Sequence, residues 1–535
     1  MNKIRINQLG YAPGLPKRAA LLDQTSARLL DEAGQELRRF DGLRPWFDPA
    51  SGDRVALIDL GNLAPGNYSL NAGGESRRIR VERRPYSALT GALVKGLYYQ
   101  RCGCALEAAH AGPYAHAACH TAPAKLYENP EVELDASGGW HDAGDYGRYV
   151  SPAAVTVGHL LYAYRWFPKA FQDALNIPES GNGLPDVLNE CRFELEWLLK
   201  MQREDGALYH KLTKKRFAPF IMPEEDKTQE YLLPPTHTAT AGYAACAALA
   251  SRAYRPFDAA FSARLLESAV RAWAWLEQNP RFVPYENPED VKTGAYGDTN
   301  CLDEAFWAAS ELYASTGEAR YLDALTALCP RVELSKFGWR EVGGLGALCC
   351  LFELDGRLDK AFADGLQGRF LLAADAALET ARLSGYGTAL SPDGYVWGSS
   401  LPILCNGMLL IAAWKRSGKT PYLDAALNQL DYLLGLNALD LSLVTGYGEK
   451  PFRFPHHRPS ASDGVEAPVP GLVSGGPNAR NNYPSTRERL PKGTYPAKSY
   501  LDETPSADTN EIAIYWNSPA VFVAACFDQL TRENG

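Results

Sequence analysis

Residues 138–145 read Gly-Gly-Trp-His-Asp-Ala-Gly-Asp, which places Asp142 and Asp145 three residues apart on a stretch rich in glycine. Glycines so closely spaced favour a tight turn over a continuous helix or strand. Carboxylates at i and i+3 of such a turn can converge on one point, and a hydrolase needs that arrangement to hold and deprotonate a water. A surface turn in which the two acids merely cap the next segment is the competing reading. The indole of Trp140 weighs against it, because sugar sites pair a flat apolar face with carboxylates.

Three further clusters carry candidate chemistry. Residues 455–460 read Pro-His-His-Arg-Pro-Ser, so that His456 and Arg458 could hydrogen-bond a ligand. Asp508-Thr509-Asn510-Glu511 precedes the last apolar-periodic segment. With Thr509 or Asn510 as N-cap, Glu511 is expected in the first helical turn, where simple dipole compensation would also account for it. Cys102, Cys119, His120 and His141 offer two thiolates and two imidazoles, the composition of a closed tetrahedral zinc site. Cys104 is a rival to Cys102, and a set of unligated thiols is the alternative. Residues 296–304, Tyr-Gly-Asp-Thr-Asn-Cys-Leu-Asp-Glu, cluster the oxygens a hard cation needs, although acidic loop caps would look the same.

What must position these groups is read from the rest of the chain. Its 535 residues leave room for at least two domains. Hydrophobic content of 46% and charged content of 22% are those of an ordinary globular protein. A net charge of −9, with no basic stretch interleaved with aromatics, speaks against nucleic acid. No window approaches the roughly 18 uninterrupted apolar residues of a membrane span, and residues 1–11 lack a signal-peptide core. A cytoplasmic location is therefore expected, with secretion as the alternative. Eleven cysteines, mostly in apolar runs, fit buried reduced thiols.

Residues 1–85 read as short strands separated by turns, the texture of a small β-sandwich. Strands are expected near 3–8, 18–22, 27–30, 54–60, 67–72 and 76–82. Residues 86–535 change to long apolar-periodic segments rich in Ala and Leu. Helices are expected near 153–167, 184–203, 237–255, 260–278, 302–316, 321–328, 344–354, 365–383, 401–417, 421–434 and 510–530. About a dozen helices in hairpins can close six inner on six outer helices as an (α/α)6 barrel, with an α-solenoid as the competitor. The stretch from 447 to 505 has little periodicity, and a loop that long in a compact domain is usually functional.

Asp142-Ala-Gly-Asp145, His456-His-Arg-Pro-Ser460 and Asn510-Glu-Ile-Ala-Ile-Tyr-Trp-Asn-Ser-Pro519, in that order on a helical region after a β-sandwich, resemble family 9 of the glycoside hydrolases. The resemblance is to the subgroup with an N-terminal immunoglobulin-like module, whose opening is similar to residues 6–11, Ile-Asn-Gln-Leu-Gly-Tyr. Residues 471–478, Gly-Leu-Val-Ser-Gly-Gly-Pro-Asn, are similar to a further loop of the family.

The resemblance implies an inverting cut of a glycosidic bond, with Asp145 as general base, Asp142 fixing the same water and Glu511 as general acid. Such chemistry sets base and acid about 6.5–9.5 Å apart. It implies contacts to sugar from His456, Arg458, Trp397 and Trp516, beside the indole of Trp140. It supports a structural zinc on Cys102, Cys119, His120 and His141, and calcium on Asp303 and Glu304 with oxygens from Asp298 to Asn300. Asp463 matches a second calcium position. Where the family often has a Tyr four residues before the acid, this chain has Ala507.

The expected activity is that of an endo-β-1,4-glucanase on cellulose-type and mixed-linkage glucans and their oligosaccharides, working as a monomer. An exo-acting cellodextrinase or β-glucosaminidase of the same family is the alternative. A silent carbohydrate-binding protein and a zinc hydrolase rank below it, the last because four protein ligands leave the metal no open position.

Overall fold

A computed structural model describes residues 2–481 and 483–533. Residues 4–81 form two four-stranded antiparallel sheets. One has the order β1(Ile4–Ile6)-β2(Arg18–Leu22)-β6(Arg54–Asp59)-β5(Trp46–Phe47), the other β4(Glu36–Phe40)-β3(Ala27–Leu30)-β7(Gly66–Ala72)-β8(Glu75–Val81). Alternation decides the packing: Leu29, Leu70, Ile79 and Val81 face Ile4, Ile6, Leu21 and Ile58 in one small core. Strands β4 and β5 were not expected, because they are exposed at nearly every position and show no alternation to read.

Among the described residues twelve helices of six residues or more follow, and they divide into two rings. The outer ring is α1(Ser87–Tyr98), α3(Asp186–Lys200), α5(Ala259–Gln278), α7(Ala319–Leu328), α9(Lys360–Leu383) and α11(Thr420–Leu433). The inner ring is α2(Val150–Trp166), α4(His237–Tyr254), α6(Leu302–Thr316), α8(Gly343–Leu348), α10(Ser400–Ser417) and α12(Ile514–Glu533). Helix α12 packs on α2, α2 on α4, α4 on α6, α6 on α8 and α10 on α12.

This is the (α/α)6 barrel, and side-chain size explains which helix lies where. Helix α4, rich in Ala, is buried along almost its whole length, whereas α9 buries only Leu366, Phe370, Ala374 and Ala381. Small residues let the inner helices approach: a Cβ on Gly158 of α2 would stand 2.8 Å from the Trp307 ring of α6. Among the described residues no helix is long and apolar enough to cross a membrane.

Two departures bear on the site. Helix α1 has no counterpart among the expected segments. The last helix begins at Ile514 rather than Asn510, because residues 507–510 form a separate helical turn and Glu511 is extended, with φ −68° and ψ 160°.

The module is bonded to the barrel through the stretch that opens it. Asn7 Nδ2 donates to buried Asp431 (2.7 Å), the Gln8 N–H donates to the Leu434 carbonyl (2.9 Å), and Gln8 Oε1 accepts from the Lys450 N–H (2.8 Å). A small five-stranded sheet, β10(Glu133–Leu134)-β9(Ala124–Leu126)-β13(Tyr231–Leu232)-β12(Lys211–Thr213)-β11(Arg148–Tyr149), sits over one end of the barrel. Its strand β11 begins three residues after Asp145 and marks where the acidic turn ends.

Candidate active site

The glycines of the acidic turn do different work. Gly138 and Gly139 have positive φ (106° and 76°), and a Cβ on Gly139 would lie 2.7 Å from the Trp197 ring. Gly144 is required by proximity, since its Cβ would fall 1.8 Å from the His456 carbonyl oxygen. That closeness allows the Gly144 carbonyl to accept from the Arg458 N–H (3.1 Å) and from Arg458 Nη1 (2.7 Å).

Gln100 ties the turn down. Its Nε2 donates to the carbonyls of His141 (3.1 Å) and Ala143 (2.9 Å), its carbonyl accepts from the His141 N–H (2.7 Å), and its Oε1 bonds the buried ring of His457 (2.9 Å). Nothing in the residue types around Gln100 announces this role.

Glu511 reaches the same place from the far end of the chain. Single β-bridges pair His456 with Glu511, Ser474 with Ile512 and Ala143 with Ala513. Backbone bonds reinforce them: the His456 N–H donates to the Asn510 carbonyl (2.9 Å), the Gly475 N–H to the Glu511 carbonyl (2.8 Å) and the Ile514 N–H to the Asp142 carbonyl (2.8 Å). The extended conformation at 511–513, where a helix is expected, makes these bridges available.

Asp142, Asp145 and Glu511 thus line one cleft of about 550 Å³, together with Tyr149, Phe217, Tyr296, Trp339, Trp397, His456, Arg458, Tyr483, Tyr515 and Trp516. Asp145 Oδ2 accepts from the Gly147 N–H (2.9 Å) and the Tyr149 hydroxyl (3.5 Å). Asp142 accepts from the Tyr296 hydroxyl, which also meets the Tyr515 hydroxyl at 3.2 Å. Tyr296 lies in the stretch read as a cation loop, yet its ring serves the acid pair.

Burial pushes the Glu511 carboxyl well above the usual carboxylate range, and the negative Asp145 and Asp142 push it further. The Arg458 guanidinium and the Gly144 N–H pull the other way. Burial likewise raises Asp142, opposed by the Tyr296 hydroxyl and reinforced by Asp145. Lys211, in contact with the Asn287 side chain (2.6 Å) and the Gly294 carbonyl (2.6 Å), is lowered by burial to about 7, the negative Asp145 acting against that fall.

The expected sugar contacts fare differently. Trp397 is 37% exposed with Tyr483 edge-on at 5.3 Å, and both line the cleft. Trp516 lines it too, held between Gly398 and Gly475, whose Cβ positions would each fall 2.9 Å from its ring. It stands in the first turn of α12, not on a helix shared with Glu511.

Trp140 is not a sugar contact. The turn directs its indole inward, where it is 1% exposed, and its ring N–H meets Glu190 (3.3 Å) while its backbone N–H donates to Glu194 (2.6 Å). His456 Nδ1 bonds the Thr504 carbonyl (2.7 Å), which fixes that nitrogen as the donor. Burial lowers the pKa of the ring and so favours its neutral form, which leaves Nε2 as the accepting nitrogen. Arg458 spends Nε on the Ala218 carbonyl (2.8 Å) and Nη1 on Gly144, which makes it chiefly a clamp between loops.

Cys102, Cys119, His120 and His141 come together, all buried, with ligand atoms within 4.8 Å of one another. Cys102 Sγ lies 3.8 Å from Cys119 Sγ and 3.5 Å from His120 Nδ1. His120 Nε2 is engaged by Lys214 Nζ (2.9 Å), whereas His141 Nε2 is buried with no hydrogen-bond partner. Two sulfurs and two ring nitrogens converging around an orphaned nitrogen form a group able to hold a metal ion. Cys104 is outside it, half-buried, and lines a neighbouring groove together with Phe193 and Trp197.

The oxygen-rich stretch is also strained electrostatically. Asp298, Asn300 and Asp303 line one surface pocket, and Asp298 Oδ2 and both carboxyl oxygens of buried Glu304 have no partner. Burial raises the pKa of Asp298, Asp303 and Glu304, and negative neighbours add to it at two of them, Asp298 at Asp303 and both Asp303 and Asp298 at Glu304. Asp303 Oδ2 is already used by the Val342 N–H (2.7 Å) and Asn300 Oδ1 by the Leu302 N–H (2.9 Å). Asp463 accepts from the Val465 N–H (2.8 Å) through Oδ1, and its buried Oδ2 has no partner.

Comparison with known proteins agrees with this architecture. The profile of glycosyl hydrolase family 9 matches residues 86–524, and that of the cellulase N-terminal ig-like domain matches residues 1–77. A cellodextrinase of Butyrivibrio fibrisolvens is 37% identical over 98% of this chain and 99% of its own length. A xyloglucan-specific endo-β-1,4-glucanase of Bacteroides ovatus is 34% identical, covering 98% of this chain and 94% of its own. The crystal structure of a single mutant of a thermostable endoglucanase from Alicyclobacillus acidocaldarius superposes with a TM-score of 0.93 at 34% identity, covering 99% of this chain and all of that one.

Proposed function

The chain belongs to glycosyl hydrolase family 9, and from that premise we propose that it is an inverting endo-β-1,4-glucanase acting on cellulose-type and mixed-linkage glucans and their oligosaccharides. The observation that carries the reading is the meeting of Asp142, Asp145 and Glu511 in one cleft beside exposed Trp397.

The roles follow from the environments. Asp145, held by the Gly147 N–H and the Tyr149 hydroxyl, takes the proton from a water that Asp142 also grips. Glu511, kept protonated by burial and by two negative neighbours, gives its proton to the leaving glycosidic oxygen. The bond from C1 to that oxygen breaks as the water oxygen adds from the opposite face, so the anomeric centre inverts. Trp397 and Tyr483 offer ring faces to the sugar, and His456 accepts from a hydroxyl.

We also propose zinc for the Cys102, Cys119, His120 and His141 group. Two thiolates and two imidazoles suit it, and four protein ligands give it the part of a fold-stabilising ion. His141 directly precedes Asp142, so the metal stiffens the acidic turn. Calcium is proposed for the Asp298, Asn300, Asp303 and Glu304 cluster, supported by its unpartnered buried oxygens, and for Asp463 on the same ground. A monomer in the cytoplasm is carried as a proposal too, the eleven cysteines without disulfides being suited to a reducing compartment.

End-labelled cellohexaose tests the function. Internal cleavage with the α-anomer formed first, seen by NMR, is the expected result. Release of terminal units alone would replace it with the exo reading that the cellodextrinase likeness keeps open, and a β-anomer first would overturn the mechanism.

A further inference from the structure

A second groove, of about 380 Å³, runs between the module and the barrel, and none of its lining residues lines the catalytic cleft. On the module side stand Trp46 of β5, Asp59 at the end of β6 and Arg18 at the start of β2. On the barrel side stand Arg382 of α9 and Asp424 and Asn428 of α11.

Three features of this groove call for a ligand. The first is Trp46, which remains 39% exposed while its strand neighbour Phe47 meets Tyr495 edge-on at 6.3 Å. Strand alternation sends the two rings to opposite faces and leaves the indole to the groove. The second is Asn428, only 2% exposed, whose Oδ1 has no hydrogen-bond partner although buried amide oxygens are nearly always bonded. The third is the charge balance: two arginines face two aspartates, which cancels the field that a phosphate or a polycation would need.

A flat apolar ring flanked by uncharged-in-sum polar groups is suited to a neutral polyhydroxylated ligand, and the volume is in the lower part of the range of about 300–1,000 Å³ usual for small-ligand sites. We propose that this groove is a second glucan-binding site, in which the Trp46 indole carries the face of a glucose ring and Asn428 and Asp424 take its hydroxyls. Burial raises the Asp424 carboxyl, the Arg18 guanidinium opposes the rise and negative Asp59 adds to it. The choice of a β-glucan as occupant rests on the activity proposed above. A polymer can occupy this groove and the cleft at once only if it is long enough to reach both, whereas a short oligosaccharide gains nothing.

The test is native affinity electrophoresis of the full chain in gels containing soluble barley β-glucan, with dextran gels as the control. The chain carries Glu511→Gln so that the polymer survives. Trp46→Ala and, separately, Asp424→Ala are added to it, and each is also made in the active protein. The expected result is a roughly tenfold weaker dissociation constant for the β-glucan with Trp46→Ala and a smaller loss with Asp424→Ala. In the active protein kcat/KM on cellotetraose stays within about twofold, which shows the fold intact. Unchanged retardation in both variants overturns the site, whatever water the groove then holds. If the parent protein fails to cleave cellotetraose, the activity reading falls while the retardation still reports on the groove.

Discussion

The Ile514 N–H donates to the Asp142 carbonyl at 2.8 Å, so the segment that carries Glu511 is bonded directly to the turn that carries Asp142 and Asp145. The separation of acid and base is thus set by main-chain geometry and not by side-chain packing alone. Gly144 is the tightest point of that junction. Its substitution by Ala sets a Cβ 1.8 Å from the His456 carbonyl oxygen, a backbone atom that cannot swing aside. Gly144→Ala is expected to lower kcat on cellotetraose by about 10²-fold or more, because a shift of roughly 1 Å suffices for that. Its Tm should fall as well. A variant with unchanged kcat would show that the junction does not set the geometry.

Glu511 acts as an acid only while protonated. Its carboxyl is raised by burial and by Asp145 and Asp142, so activity is present below that raised pKa and is lost as pH rises through it. The alkaline limb of kcat/KM should therefore stand well above the usual range for Glu. Glu511→Ala should cost about 10²- to 10⁴-fold on cellotetraose and much less on a dinitrophenyl cellobioside, whose leaving group needs no proton. Equal losses on both substrates would remove Glu511 from the role of acid.

Tyr296 sets the other limb. Its hydroxyl donates to Asp142 and favours the carboxylate, so its removal raises the pKa of Asp142 further. Tyr296→Phe should move the acidic limb of the pH profile upward, by up to about one unit for one hydrogen bond to a charged group, with a modest fall in kcat at the optimum. An acidic limb that does not move would mean that Asp142 does not titrate in the working range.

Removing the metal tests the Cys102, Cys119, His120 and His141 group. One zinc per chain is expected by elemental analysis, and Cys119→Ser or prolonged chelation should lower Tm by roughly 10 °C. Activity should fall with it, through the link from His141 to Asp142. Full thermal stability in a metal-free sample would leave the four residues as plain buried thiols and imidazoles.

Much of this site was legible because it is local. Asp142 and Asp145 share one turn, His120 adjoins Cys119, and helical periodicity marks the inner ring. What escaped depends on chain direction or distance. Trp140 adjoins the acids in sequence, yet the turn aims its ring at Glu190 beneath them. Glu511 was expected in a helix because Asp508, Thr509 and Asn510 are good caps, but the bridges to His456 and Ala143 favour the extended form. Gln100 belongs to no motif and lies about 40 residues before the acids, so only the folded chain brings it to the turn. Strands β4 and β5 lack alternation because both their faces meet solvent.

Trp397 lines the cleft with 37% of its surface exposed, and Tyr483, itself 42% exposed, stands edge-on to it at 5.3 Å. Tyr483 comes from the long loop, and its N–H donates to Asp508 (3.1 Å), which brings the ring to the side of the cleft where Ala507 presents no ring of its own. A ring that stacks on a sugar away from the broken bond binds ground state and transition state alike, so its loss raises KM and leaves kcat. Trp397→Ala is expected to raise KM on cellopentaose roughly tenfold with kcat within about twofold, and Tyr483→Ala to raise it less. Because the two rings touch, the double variant should cost less than the product of the two single effects. A fall in kcat with KM unchanged would instead assign Trp397 to the reacting ring itself.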